Sequence, residues 1–205
     1  MDTRERLTKA FKHFPGIGPR QARRFVYFLL SRGPKFSGEF AKQITKLHDS
    51  VTRCEITHQY FAPEDPNQNR SPIACDEDRD WSRLLIVETD MDLEAIEKTG
   101  EYDGMYYVLG SQGSLTDDDL EKTLHLEELQ SVISKHYGDG LEEAIIATSV
   151  TPEGERIRDT VTRFLADTAK NLGFTISTLG RGLSTGTELE YIDDNTMRHA
   201  LDGRN

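Results

Sequence analysis

The chain has 205 residues, 30% charged and 36% hydrophobic, enough for one mid-sized domain with a small accessory one. No apolar run approaches the roughly 18 residues of a membrane span, and the opening Met1-Asp2-Thr3-Arg4-Glu5-Arg6 has no apolar stretch of the kind that directs export. Two cysteines, Cys54 and Cys75, are too few for a disulfide scaffold and fit a reducing compartment, so the expectation is a cytoplasmic protein.

The net charge of −11 is unevenly spread. Residues 1–53 hold 12 Lys and Arg against 4 acids, a balance of +8, and the remainder carries −19. A basic head on an acidic body suits a head that meets a polyanion and a body that meets a different partner.

In chain order, residues 4–13 have helical spacing, with Leu7, Ala10 and Phe11 on one side and the bases on the other. Phe14-Pro15-Gly16-Ile17-Gly18-Pro19 follows, a tight connector in which two glycines flank one apolar residue. Pro19 stands where a first helical residue tolerates it, and a second helix runs from there to Ser31, where Arg32-Gly33-Pro34 stops it. This pattern is the helix-hairpin-helix signature. Its glycines let the backbone approach a phosphate, and the amides at the start of the second helix point at the anion. Ile17 is expected to plug between the helices. Lys12, Gly16, Gly18, Arg20, Arg23 and Arg24 are the other candidate DNA contacts, all of a kind that holds phosphate without reading sequence.

A third helix is expected over 37–51, with Phe40, Ile44, Leu47 and Val51 at helical spacing. Residues 53–80 read as polar and irregular, with three prolines and an exposed tip near Glu64 to Arg70. Cys54 and His58 form a loose pair, Cys75 has no neighbouring ligand, and His48 is a conceivable fourth. Zinc sites need four ligands, mostly in close pairs, so the simpler reading is two reduced, buried thiols and no cofactor.

Next comes the run Arg83-Leu84-Leu85-Ile86-Val87-Glu88, a buried strand ending at a carboxylate, followed by a helix from Leu93 to Lys98. Further strands are expected at 104–110, 144–148 and 174–179, separated by helix-length crossovers. The pattern implies an α/β fold with a mostly parallel sheet, whose strand ends should bring Glu88, Gly110 and residues 148–155 together. A helix starting near Ser114 or Thr116 and a long one containing Ile157, Val161, Phe164 and Leu165 complete this part. A glycine-rich stretch at 180–186 and a short final helix close the chain.

Phe14-Pro-Gly-Ile-Gly-Pro, Arg79-Asp80, Ile86-Val87-Glu88 with Asp92 and Glu97, Thr151-Pro-Glu-Gly154-Glu155, and Gly182-Leu-Ser-Thr-Gly186 occur in one order. In these blocks the chain resembles the bacterial RecR family of recombination mediators over essentially its whole length. The resemblance implies a helix-hairpin-helix head (1–53), a zinc-finger-like segment (54–80), a Toprim Rossmann-like domain (81–178) and a C-terminal arm (179–205). It also implies a ring-like homo-oligomer, from dimer to tetramer, that binds gapped or junction DNA. With RecO and RecF partners, such a ring helps load RecA at single-stranded gaps in DNA repair. Three departures stand out. The family's four zinc cysteines fall on Cys54, Thr57, Ser71 and Ala74, which implies a finger that has lost its metal. Gly113-Ser114-Leu115 alters a loop after the second sheet strand, and Pro152 replaces a valine before Glu153.

Catalytic Toprim domains hold magnesium with a glutamate and a later Asp-x-Asp. Here Glu88 is present, but the later site reads Thr148-Ser149-Val150. The expectation is therefore a DNA-binding adaptor and not an enzyme, with no catalytic residues. Glu88, Asp92, Glu97 and Glu153 are the candidates on an acidic face for a basic partner. A magnesium-dependent nucleic-acid enzyme of the Toprim type is the alternative.

Overall fold

The computed structural model describes residues 1–110 and 123–179, which divide into two compact units. The helix start at Ser114 or Thr116, the altered loop at 113–115, the glycine-rich stretch and nearly all of the C-terminal arm lie outside the described residues. The fold is mixed α/β, as the sequence predicts, with a helical head and a parallel sheet of four strands.

The first unit comprises residues 1–53 and 60–69. Helix α1 (Thr3–Phe11) is capped by Asp2, whose side chain accepts a hydrogen bond from the Glu5 amide at 2.9 Å. Helix α2 (Pro19–Ser50) buries Ala22 and Val26 on its inner face, while Phe11 meets Phe25 edge-on at 5.5 Å. At Gly33, φ of 81° and ψ of 173° are non-helical, so α2 is two helices meeting at a kink. The expected stop at Arg32-Gly33-Pro34 is therefore there. The chain resumes the helix at Pro34 and not at 37, because proline lacks a backbone donor and suits a first helical turn. A two-residue ribbon, β1 (Thr52–Arg53) antiparallel to β2 (Tyr60–Phe61), completes this unit.

The second unit takes in residues 54–59 and the described residues from 70 onward. It contains the short helix α3 (Pro72–Cys75) and then β3 (Asp80–Val87), α4 (Asp90–Glu97) and β4 (Gly104–Val108). Helix α5 (Leu126–Val132) runs into a π-helical turn (Ile133–Tyr137) and is followed by β5 (Glu143–Ala147), α6 (Pro152–Leu172) and β6 (Thr175–Thr178). Strand order is β4-β3-β5-β6, all parallel, with Leu85 opposite Tyr106 on one side and Ile145 on the other. Central β3 carries four consecutive buried residues, Leu84 to Val87, because helices cover both faces of such a sheet. Leu85, Val87, Leu93, Tyr106 and Val108 form one buried cluster. Helix α6 buries Ile157, Val161 and Leu165 along one stripe and packs on β5 and β6.

β3 starts three residues before the apolar run suggests. Asp80 pairs with Gly104, and its amide donates to the Asp103 carbonyl at 3.0 Å, with an irregularity in register before Leu84.

Candidate nucleic-acid interface and acidic face

In the head, Gly16 has φ of 72°, a conformation that glycine adopts without penalty, and it turns the chain between α1 and α2. Gly18 caps α2 with no side-chain hydrogen bond, and proline follows it. Lys12, Gly16, Gly18, Arg20, Arg23 and Arg24 are all exposed, and Ile17 is half-buried. Arg24 donates to the Gln21 side chain at 3.4 Å. Of the expected contacts, Lys12 and Arg23 line one groove of about 630 Å³ between α1 and the start of α2. Arg20 and Arg24 do not line it. The groove adds two residues that the sequence reading did not single out, Lys9 and Tyr27, the latter 61% exposed. Tyr27 lies one helical turn beyond Arg23, and that spacing was the available signal. The groove also includes Arg4, held by Asp2 at 2.6 Å, so its charge is partly spent within α1.

At the sheet, β3 lies between β4 and β5, so connections on its two sides turn apart at its carboxyl end, the place where parallel α/β sheets bind ligands. Glu88 stands there. Its carboxylate accepts from the Ser149 amide at 2.5 Å, and its carbonyl accepts from the Gly110 amide at 3.0 Å. Glu88, Gly110 and the 148–155 turn therefore meet, as predicted. Thr151 caps α6 by accepting from the Gly154 amide at 3.1 Å, which sets half-buried Glu153 in the first turn of that helix. A methyl group at Gly154 would overlap the Ser149 carbonyl and hydroxyl, so the close approach of α6 to this turn depends on glycine.

The other two acids have internal duties. Asp92 accepts from both the Thr89 amide (2.9 Å) and hydroxyl (2.7 Å), closing a capping box at the start of α4. Glu97 is ion-paired with Arg79, whose side chain is only 10% exposed and which also donates to the Gly104 carbonyl at 2.9 Å. Among the described residues, no group of three or more His, Cys, Asp or Glu side chains is disposed to hold a metal ion. After β5 the chain reads Thr148-Ser149-Val150, so among the described residues no cluster of carboxylates of the kind that positions magnesium gathers beside Glu88.

Residues 4–48 match the RecR helix-hairpin-helix family, residues 82–179 the Toprim domain, and residues 182–205 the RecR C-terminal family. Proteins called "Recombination protein RecR" align with it end to end. That of Chlorobium luteolum is 32% identical over 201 residues, covering 98% of this chain and 95% of the relative. That of Magnetococcus marinus is 32% identical over 204 residues, 100% and 96%. The Streptococcus thermophilus protein is 30% identical over 203 residues, 97% and 94%. The chain belongs to the RecR family.

In this RecR-family chain the two cysteines differ from the expected pair of buried thiols. Cys54 is buried, but Cys75 is exposed. The reason is the phase of α3: Ala74 turns inward, so the next residue on so short a helix turns out. His58 lies with its ring stacked on Tyr107, 5.2 Å between centroids, and His48 is exposed on α2. No described helix is long and apolar enough to cross a membrane.

Proposed function

We propose that this chain is a DNA-binding recombination mediator, an adaptor in the cytoplasm that acts on gapped DNA and does not itself cut or join strands. The observation that carries the reading is the Gly16–Gly18 hairpin with its exposed arginines, in a chain that aligns with RecR proteins along its whole length. Such a hairpin offers backbone amides and cations to phosphate, which gives sequence-independent affinity. The 54–80 segment and the 179–205 arm complete the proposed four-part organisation.

Glu88, Asp92, Glu97 and Glu153 form the proposed face for a basic partner, RecO or RecF, through which RecA is loaded. Glu88 and Glu153 are the stronger members, since Asp92 and Glu97 already serve the fold. A homo-oligomeric ring is the proposed assembly. In its support, Phe28, Phe36, Phe40, Ile44 and Leu47 on α2 are each between 39% and 55% exposed, a concentration of apolar surface unusual for a monomer.

The test is end-labelled gapped duplex mixed with pure protein and magnesium, run on native and denaturing gels in parallel. A shifted native band with strands of unchanged length is expected. Strands that change length, and stop changing in EDTA, would instead establish a magnesium-dependent Toprim enzyme.

A further inference from the structure

Two tight turns of this chain face each other. The first, 54–57, is closed by the His58 amide donating to the Cys54 carbonyl at 3.1 Å. The second, 71–74, is the start of α3, where the Ser71 hydroxyl accepts from the Ala74 amide at 3.3 Å. They meet at one sulfur. Cys54 Sγ accepts from the Thr57 amide at 3.4 Å and from the Ser71 amide at 3.3 Å, and the Thr57 and Ser71 hydroxyls lie 3.4 Å apart. Cys54, Thr57 and Ser71 are fully buried, and Ala74 is 5% exposed.

A Cys-x-x-Cys pair on each of two such turns is how a structural zinc site is built, and amide donors to the sulfurs are its usual second layer. Here the four inward positions offer one thiol, two hydroxyls and a methyl group. Serine and threonine hydroxyls stay protonated at neutral pH and are not structural zinc ligands, and alanine offers no donor at all. His58 does not replace them, because its ring lies flat on Tyr107 with Nδ1 3.4 Å from the Val108 carbonyl. Nor does Cys75, which is exposed. The zinc that the family resemblance implies does not fit these residues.

We infer that the two turns are a zinc-knuckle frame that folds without metal and still holds four positions in ligand geometry. Hydrogen bonds take over the metal's role at the centre. The frame is also anchored from outside. The Thr57 carbonyl accepts from the Val108 amide at 2.9 Å, so the first turn is bonded to the outer edge of β4, an edge strand that would otherwise leave that donor open. Pairing to a rigid strand supplies the fixed geometry that zinc supplies elsewhere.

The test compares the full-length protein with Thr57→Cys/Ser71→Cys/Ala74→Cys. The unaltered chain should purify with less than about 0.1 zinc per chain, and 1,10-phenanthroline should leave its melting temperature unchanged. Stoichiometric zinc, or a melting temperature that falls with the chelator, overturns the metal-free knuckle. The triple variant should take up one zinc per chain, give thiolate-to-metal absorption with Co²⁺, and become sensitive to the chelator. If it is unfolded as purified, folding on addition of zinc counts as uptake. A triple variant that takes up no metal, folded or not, overturns the retained geometry. Ser71→Ala should lower the melting temperature of the otherwise unaltered protein by about 2–4 °C, and no change would overturn the role given to the hydrogen bonds.

Discussion

Asp80 shows how single residues set the start of the central strand. Its carboxylate accepts from the Ser82 hydroxyl at 2.6 Å and amide at 2.9 Å, and from Arg83 at 2.7 Å. The Ser82 hydroxyl first, and then Arg83, hold its pKa down at about 2, against an ordinary 3.8. Because the folded value is the lower one, the contribution to stability is complete above about pH 4 and is lost as pH falls through about 2. Carbon-detected NMR titration should find Asp80 ionising near the bottom of that window, and a midpoint near 4 would contradict the geometry. Arg79 is the other decisive residue. It holds Glu97 of α4 and the Gly104 carbonyl of β4 while nearly buried. Arg79→Ala leaves a half-buried carboxylate without its cation and should cost about 2–3 kcal/mol in urea unfolding. A loss under about 0.5 kcal/mol would mean the pair is incidental.

Among the elements, the turn between β5 and α6 is tied to the carboxyl end of β3. Ser149 donates to Glu88, and Gly154 lets α6 come close enough for Ser149 to sit there. Gly154→Ala should destabilise the protein by about 1–3 kcal/mol and displace the Ser149 amide resonance, since the Ser149 backbone carbonyl is in the way as well as its hydroxyl. An unshifted resonance would show that the turn relaxes freely. The elements that the sequence revealed are those with a strong local signal: the apolar run Leu84–Val87, the stripe of α6, and the break at Gly33. The start of β3 was not legible, because Asp80, Trp81 and Ser82 are only half-buried at the amino end of the strand and lie outside the apolar run. Nor was the Arg79–Glu97 pair, whose partners are 18 residues apart. Convergence of Cys54, Thr57, Ser71 and Ala74 was legible through family resemblance alone, since serine, threonine and alanine carry no metal signature of their own. The groove was half legible: Lys12 and Arg23 by charge, Tyr27 only through its spacing one turn beyond Arg23, since an aromatic on a helix reads first as core.

The whole chain is divided by charge, with +8 in residues 1–53 and −19 beyond. The exposed apolar stripe on α2 fits burial against a second copy. Ile44→Asp with Leu47→Asp should therefore convert the assembly to a smaller species in sedimentation, with the helical circular dichroism kept. A wild-type chain that sediments as a monomer at all concentrations would remove that assignment. Whether the basic head binds DNA through its phosphates is decided by the salt dependence of binding to labelled gapped duplex, followed by fluorescence anisotropy. The wild type should lose affinity steeply between about 50 and 200 mM salt. Arg20→Glu/Arg23→Glu/Arg24→Glu should bind every sequence more weakly, with a log–log salt slope shallower by about 2–3. A variant that binds with unchanged affinity and slope would leave these arginines without a part in DNA binding.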